Sequence, residues 1–243
     1  LIELHTDNLE KYFTPRPKVN WPPLSAMSAH DTQLIGSGIT TVLDAVALGD
    51  YRDGNRQENL DQFINTVAES QKRGLTRAEH RIHLRCEVPH STTVGLFEHY
   101  VNMPEVQLVS LMDHAPGQRQ FVNLDKYRTY YQGKYNMTDA EMAVYEKDQV
   151  AQSERWSKQN RDEITRQCRD LNIPTASHDD ATSAHVTESK ELGMVIAEFP
   201  TTVEAAKRSH ELGLKVMMGA PNVIRGGSHS GNVAAHELSL IHI

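Results

Sequence analysis

The stretch VQLVSLMDHAPG, residues 106–117, runs from a largely apolar segment, Val106 to Met112, into the polar pair Asp113-His114 and the turn residues Pro116-Gly117. An apolar run of that length, closed by a turn signal, suits a strand buried on both faces, with the polar pair where the strand opens into a loop. The pattern repeats outward in both directions, at Leu1–Leu4, Ile39–Val46, Ile82–Val88, Ile173–Ala176, Met194–Phe199 and Lys215–Gly219. Helical spacing fills several intervals. Leu60, Phe63, Ile64 and Val67 recur at i, i+3, i+4 and i+7 ahead of a stop at Gly74, and Val203–Leu212 stops at Gly213. Thr138–Asn172 is long, charged and weakly periodic; it reads as one extended helix or two joined ones, with Trp156 on a polar surface, serving as an insertion or a subunit contact within a homo-oligomer. Strand and helix alternate, which predicts an α/β fold, a (β/α)8 TIM-type barrel of which about seven βα units are present. A doubly wound open sheet is the alternative.

Both ends depart from this rhythm. Leu1 opens directly on an apolar stretch, which predicts a missing preceding segment. After GNVAAHE comes LSLIHI, residues 238–243, with no polar face and no stop signal; it matches the translation of a transposon-derived sequencing adapter. Residues 1–237 therefore read as an incomplete barrel and 238–243 as an adapter scar.

With 243 residues, 38% of them hydrophobic and 23% charged, the chain can bury a core without staples. No apolar run approaches the ~20 residues that span a bilayer, and no signal segment opens the chain, so no membrane partner is expected. Cys86 and Cys168 are too few and too far apart for a disulfide framework or a CxxC zinc site, which predicts a reducing, cytoplasmic setting. A net charge of −7 argues against nucleic acid as a partner. The 13 histidines are the first functional signal, because imidazole ligates metals and moves protons near neutral pH.

Polar residues at the C-terminal ends of barrel strands line active sites. Strand one ends in His5-Thr6-Asp7, whose i, i+2 spacing puts an imidazole and a carboxylate on one face; the alternative is a hydrogen-bonded core histidine and a helix N-cap. Glu87 lies inside the apolar run of strand three, where a carboxylate needs a metal, a cation such as Arg85, or a proton. His114 and His178 end strands four and five, and Asp179 or Asp180 could orient an imidazole or cap the next helix. Jointly, His5, Asp7, Glu87, His114 and His178 supply the donors of a site with two divalent ions, zinc or manganese, with Glu87 and His178 also counted as catalytic. His80, His83, His99, His185 and His210 read as surface or packing histidines.

This ordered set, HxD, a strand glutamate and two strand-end histidines, resembles the amidohydrolase superfamily. The blocks ELHTDNLEKYFTPRPKVNWPP (3–23), LRCEVPHSTT (84–93), MDHAPGQRQF (112–121), SHDDAT (177–182) and GGSHSGNVAAHE (226–237) are similar to its branch in the carbon–phosphorus lyase pathway. The resemblance implies metal-dependent release of pyrophosphate from α-D-ribose 1-methylphosphonate 5-triphosphate, leaving the 5-phosphate. Other members imply the alternatives of amide hydrolysis or deamination, and a non-catalytic scaffold or inert fragment is a further one. The superfamily's usual HxH is here His5-Thr6-Asp7, and Glu87 stands where a carboxylated lysine is common. The eighth-strand aspartate that takes the proton from the attacking water, and a flanking β-domain, have no counterpart before residue 237, so the chain by itself is expected to be inactive.

A ribose triphosphate demands concentrated cations and amides at the barrel mouth. Arg16 and Lys18 in the proline-rich loop after strand one, Arg119 after strand four, and Arg225 with Gly226, Gly227, Ser228 and His229 after strand seven are the candidates. For the glycine-rich loop the alternative is a flexible surface loop.

Overall fold

In the computed structural model, which describes residues 1–16, 19–49, 59–228 and 232–239, every apolar run carries a strand. These are β1 (Ile2–Thr6), β2 (Thr41–Leu48), β3 (Glu79–Glu87), β4 (Val106–Met112), β5 (Thr175–His178), β6 (Ile196–Glu198) and β7 (Lys215–Met217). Their order in the sheet is the order of the chain, β1 to β7. Pairing is parallel between β1 and β2, β2 and β3, β5 and β6, and β6 and β7. A doubly wound sheet reverses its strand order part-way, where ligands bind. This one does not reverse, so its winding is that of a (β/α) barrel.

The chain divides into two compact units, Leu1–Cys86 with Gly95–Val109, and Glu87–Val94 with Ser110–Ile243. In the first, α1 (Asn8–Phe13), α2 (Pro23–Gly36), α3 (Leu60–Lys72) and α4 (Thr93–Tyr100, most of which falls here) accompany the strands. Helix α3 buries Leu60, Phe63, Ile64 and Val67, as the spacing requires, and Phe63 meets Phe13 edge-on at 4.6 Å between ring centres. Each such fully buried apolar side chain contributes about 1.5–3 kcal/mol. The helix stops where Gly74 turns to φ +63°, a left-handed conformation that glycine enters without cost.

The second unit holds α5 (Leu124–Tyr135), α6 (Asp139–Asp170), α7 (Ser183–Glu191), α8 (Val203–Glu211), α9 (Ala220–Arg225) and α10 (Ala235–Ser239). The charged tract forms one helix, α6, of 32 residues, opened by a capping box between Thr138 and Glu141. Its N-terminal half packs Met142 and Tyr145 against Phe121 and Tyr127, with Tyr131, Tyr135 and Met137 around them. Further along, its buried face is largely polar, with Gln149, Ser157, Asn160, Arg161 and Thr165 beside the apolar Ile164 and Cys168. Helices α7 and α8 are each capped by a threonine, Thr182 and Thr202, whose hydroxyls accept from the amides of His185 and Ala205. Leu238 packs with Ala206 and Val233, so the first residue of the adapter-like segment sits in a small apolar cluster; residues 240–243 lie outside the described ones.

Candidate metal centre

Strand β4 opens after Met112 into Asp113-His114, β5 ends in His178 and β6 in Glu198, and the residue after each of the last two is turned by the backbone. Asp179, next after β5, lies at φ +55°, and Phe199, next after β6, at φ +52°. Aspartate tolerates that left-handed region, whereas for phenylalanine it is a strained conformation costing about 1–3 kcal/mol. Both are held by the neighbouring strand: the Asp179 amide donates to the Glu198 carbonyl and the Phe199 amide to the Met217 carbonyl, each at 2.9 Å. The parallel register sets His178 beside Glu198, side chains on one face.

The side chains converge accordingly. His114 Nδ1 lies 2.5 Å from Glu87 Oε1, and His178 Nδ1 lies 3.0 Å from Glu198 Oε2. The opposite ring nitrogens face one carboxylate: His114 Nε2 is 3.6 Å and His178 Nε2 is 3.5 Å from Asp179 Oδ2. The two imidazoles stand edge to face at 5.7 Å, and Phe199 packs on His178 at 5.5 Å. Burial alone pushes the His114 imidazole toward neutrality, but the Glu87 and Asp179 carboxylates outweigh it and raise its pKa to about 10.

This donor set fits a divalent ion. His114, His178 and Asp179 each offer one ligand atom, all within 4.8 Å of one another. Two imidazoles and a carboxylate are a ligand set that zinc accepts, and imidazoles whose far nitrogen rests on a carboxylate are the usual way such ligands are oriented. Here Glu87 sits on the Nδ1 of His114, and Asp179 occupies the space between the Nε2 atoms. Of the two acids after His178 it is Asp179 that faces both imidazoles, and Glu198, not among the residues expected at the site, backs His178. Glu198 carried a readable signal, an acid closing the run MVIAE, the same signal that singled out Glu87.

In the first unit, His5 is enclosed and stands 3.9 Å from Asp7 through Nε2 and Oδ1, with His83 edge-on at 5.1 Å. Asp7 is half exposed and accepts from Arg85 Nη1 at 2.7 Å. It occupies the N-cap position of α1 with no side-chain capping bond. His80, expected as a surface or packing residue, is fully buried, and its Nδ1 shares Asp44 with His30 Nε2, both at 2.7 Å. Burial raises the Asp44 pKa, but hydrogen bonds from both imidazoles overcome that and hold the carboxyl below its ordinary value.

The residues expected to meet the anion differ among themselves. Arg16 and Arg225 are exposed, and Lys18 and His229 lie outside the described residues. Arg119 is 3% exposed and pairs with Asp180 and Glu188, which makes it part of a buried ion network. The amides of Gly226 and Gly227 donate to carbonyls of α9, because Gly226 takes the left-handed C-cap at φ +72°; Ser228 follows at partial exposure. Those two amides close a helix C-terminus, where the backbone dipole disfavours an anion.

No family model matches the chain. Over 240 residues it is 65% identical to the alpha-D-ribose 1-methylphosphonate 5-triphosphate diphosphatase of Escherichia coli strain K12. The chain is similar to that diphosphatase along nearly all of its own length. The aligned region covers 98% of this chain and 64% of the relative. A solved structure of a mandelate racemase/muconate lactonizing enzyme from Roseiflexus sp. is also similar, at 11% identity and a TM-score of 0.44, covering 88% of this chain and 52% of that one.

Proposed function

We propose that this chain carries the metal centre of a phosphoric anhydride hydrolase that splits α-D-ribose 1-methylphosphonate 5-triphosphate into the 5-phosphate and pyrophosphate. The observation that carries the reading is the 65% identity to a diphosphatase named for that substrate, in a chain whose strand ends gather His114, His178 and Asp179. When bound there, a zinc or manganese ion supplies Lewis acidity toward a phosphoryl oxygen and makes water a stronger acid. Glu87 and Glu198 hold the Nδ1 side of the two imidazoles, which turns each Nε2 lone pair toward the ion. Asp179 adds the negative charge that makes a dication favourable at this position. His5 and Asp7 are the donors for a second ion, and Arg16 and Arg225 the exposed cations for the phosphates. The two buried cysteines, Cys86 and Cys168, suit a reducing, cytoplasmic setting, and among the described residues no helix is long and apolar enough to cross a membrane.

The test is pyrophosphate release from the ribose triphosphate by the protein at the full length of its relative, beside a panel of N-acyl amides and ring amines. Turnover should vanish with a chelator, return with zinc or manganese, and fall by at least about 100-fold in His178→Ala, whose loss removes a metal ligand. Preference for an amide or a ring amine, or turnover indifferent to metal, would reject the reading.

A further inference from the structure

We propose that Asn160 and Arg161 of helix α6, acting with Glu188 and Arg119, are positioning residues that set the spacing of the loops bearing the metal donors. The inference rests on the metal centre proposed above and adds to it a device outside the ligand set.

The connections form a continuous lattice. Asp113, the residue before His114, accepts from Arg161 Nη2 at 3.2 Å. Arg161 Nη1 donates to Glu188 Oε1 at 2.9 Å, and the other oxygen of Glu188 accepts from Arg119 Nη2 at 2.9 Å. Arg119 Nη1 pairs with Asp180, the residue after Asp179. Acid and base therefore alternate from Asp113 through Arg161, Glu188 and Arg119 to Asp180, and both ends of the chain of charges adjoin metal donors. One residue back on the helix, Asn160 donates to the carbonyls of Val88 and His90 at 2.9 and 2.8 Å, which ties down the loop that follows Glu87. Helix α6 thus holds the segments after β3 and β4 directly, and the segment after β5 through Glu188 and Arg119.

Stability alone is a poor account of this lattice. Asp113, Arg119, Arg161 and Asp180 are all buried, and burying charges costs several kcal/mol each before pairing offsets it; an apolar contact of equal volume is commonly as stable. What an apolar contact lacks is direction. The planar fork of an arginine holds two carboxylates at a defined separation, and a metal site needs its donors held to within about 0.5 Å of their working geometry.

The experiment uses the full chain with Arg161→Met, Arg161→Lys and Glu188→Gln. Zinc affinity is measured by competition with a chromophoric chelator, and folding by circular dichroism and thermal melts. Arg161→Met should weaken zinc binding by about 10–100-fold, the loss typical of removing an outer partner of metal ligands. Arg161→Lys should recover part of it, since an ammonium can meet Asp113 but lacks the fork that also holds Glu188. Glu188, with a side chain 44% exposed, gives a variant tolerant in folding that should weaken zinc binding in the same direction. Folded variants with unchanged zinc affinity overturn the positioning role, and a lowered melting point with unchanged affinity does so too, because that is how a mere brace behaves. If the unaltered chain binds no zinc, the metal centre and this inference fall together.

Discussion

At His114 two effects oppose each other, burial favouring the neutral ring and the Glu87 and Asp179 carboxylates favouring the charged one, and the carboxylates win. In metal-free protein its folded pKa, about 10, stands above the ordinary imidazole value of 6.5. A raised folded pKa contributes stability that is fully present below the unfolded value and lost as pH rises through the folded one. Urea unfolding of chelator-treated protein should therefore lose a component between pH 6.5 and about 10 that His114→Asn does not have. Parallel profiles for the two proteins would contradict the coupling. Zinc must displace the same proton, so its affinity should climb across that interval by up to about tenfold per pH unit. His114, His178 and Glu87 could be picked out because each ends or interrupts an apolar run. Asp179 could be seen only as one of two adjacent acids, since its aim depends on a left-handed backbone angle.

Helix α3 shows how far periodicity reaches, because its apolar stripe is the stripe it buries. Helix α6 shows the limit. Its sequence looks weakly periodic because much of the face it buries is polar, and Asn160 and Arg161 face carbonyls and carboxylates. Its start was nonetheless written locally, in Thr138-Asp139-Ala140-Glu141, where the Thr138 hydroxyl accepts from the Glu141 amide and the Glu141 carboxylate accepts from the Thr138 amide. Thr138→Ala should cost about 1 kcal/mol. Chemical denaturation would read it as a lower midpoint at unchanged slope, and an unaltered midpoint would show that tertiary packing alone holds this end of α6.

Across the whole molecule, the unreversed order β1 to β7 leaves β1 at one end of the sheet, with Leu1 78% and Ile2 68% exposed. An edge strand with apolar side chains outward is a template for pairing with another copy. The purified chain should associate in light scattering, and Ile2→Lys should reduce that association; equal association would place the contact elsewhere. Strand positions, the placing of His114 and His178 at strand ends, the α3 stripe and the α6 cap were all determined by the sequence alone, because each is a relation among residues a few positions apart. Only the tertiary structure decided that Glu198 stands behind His178, that Asp179 lies between the two imidazoles, and that Arg119 is enclosed by acids. Those relations depend on which strand lies beside which, in what register, and no local pattern records the partner of a charge some 20 to 70 residues away.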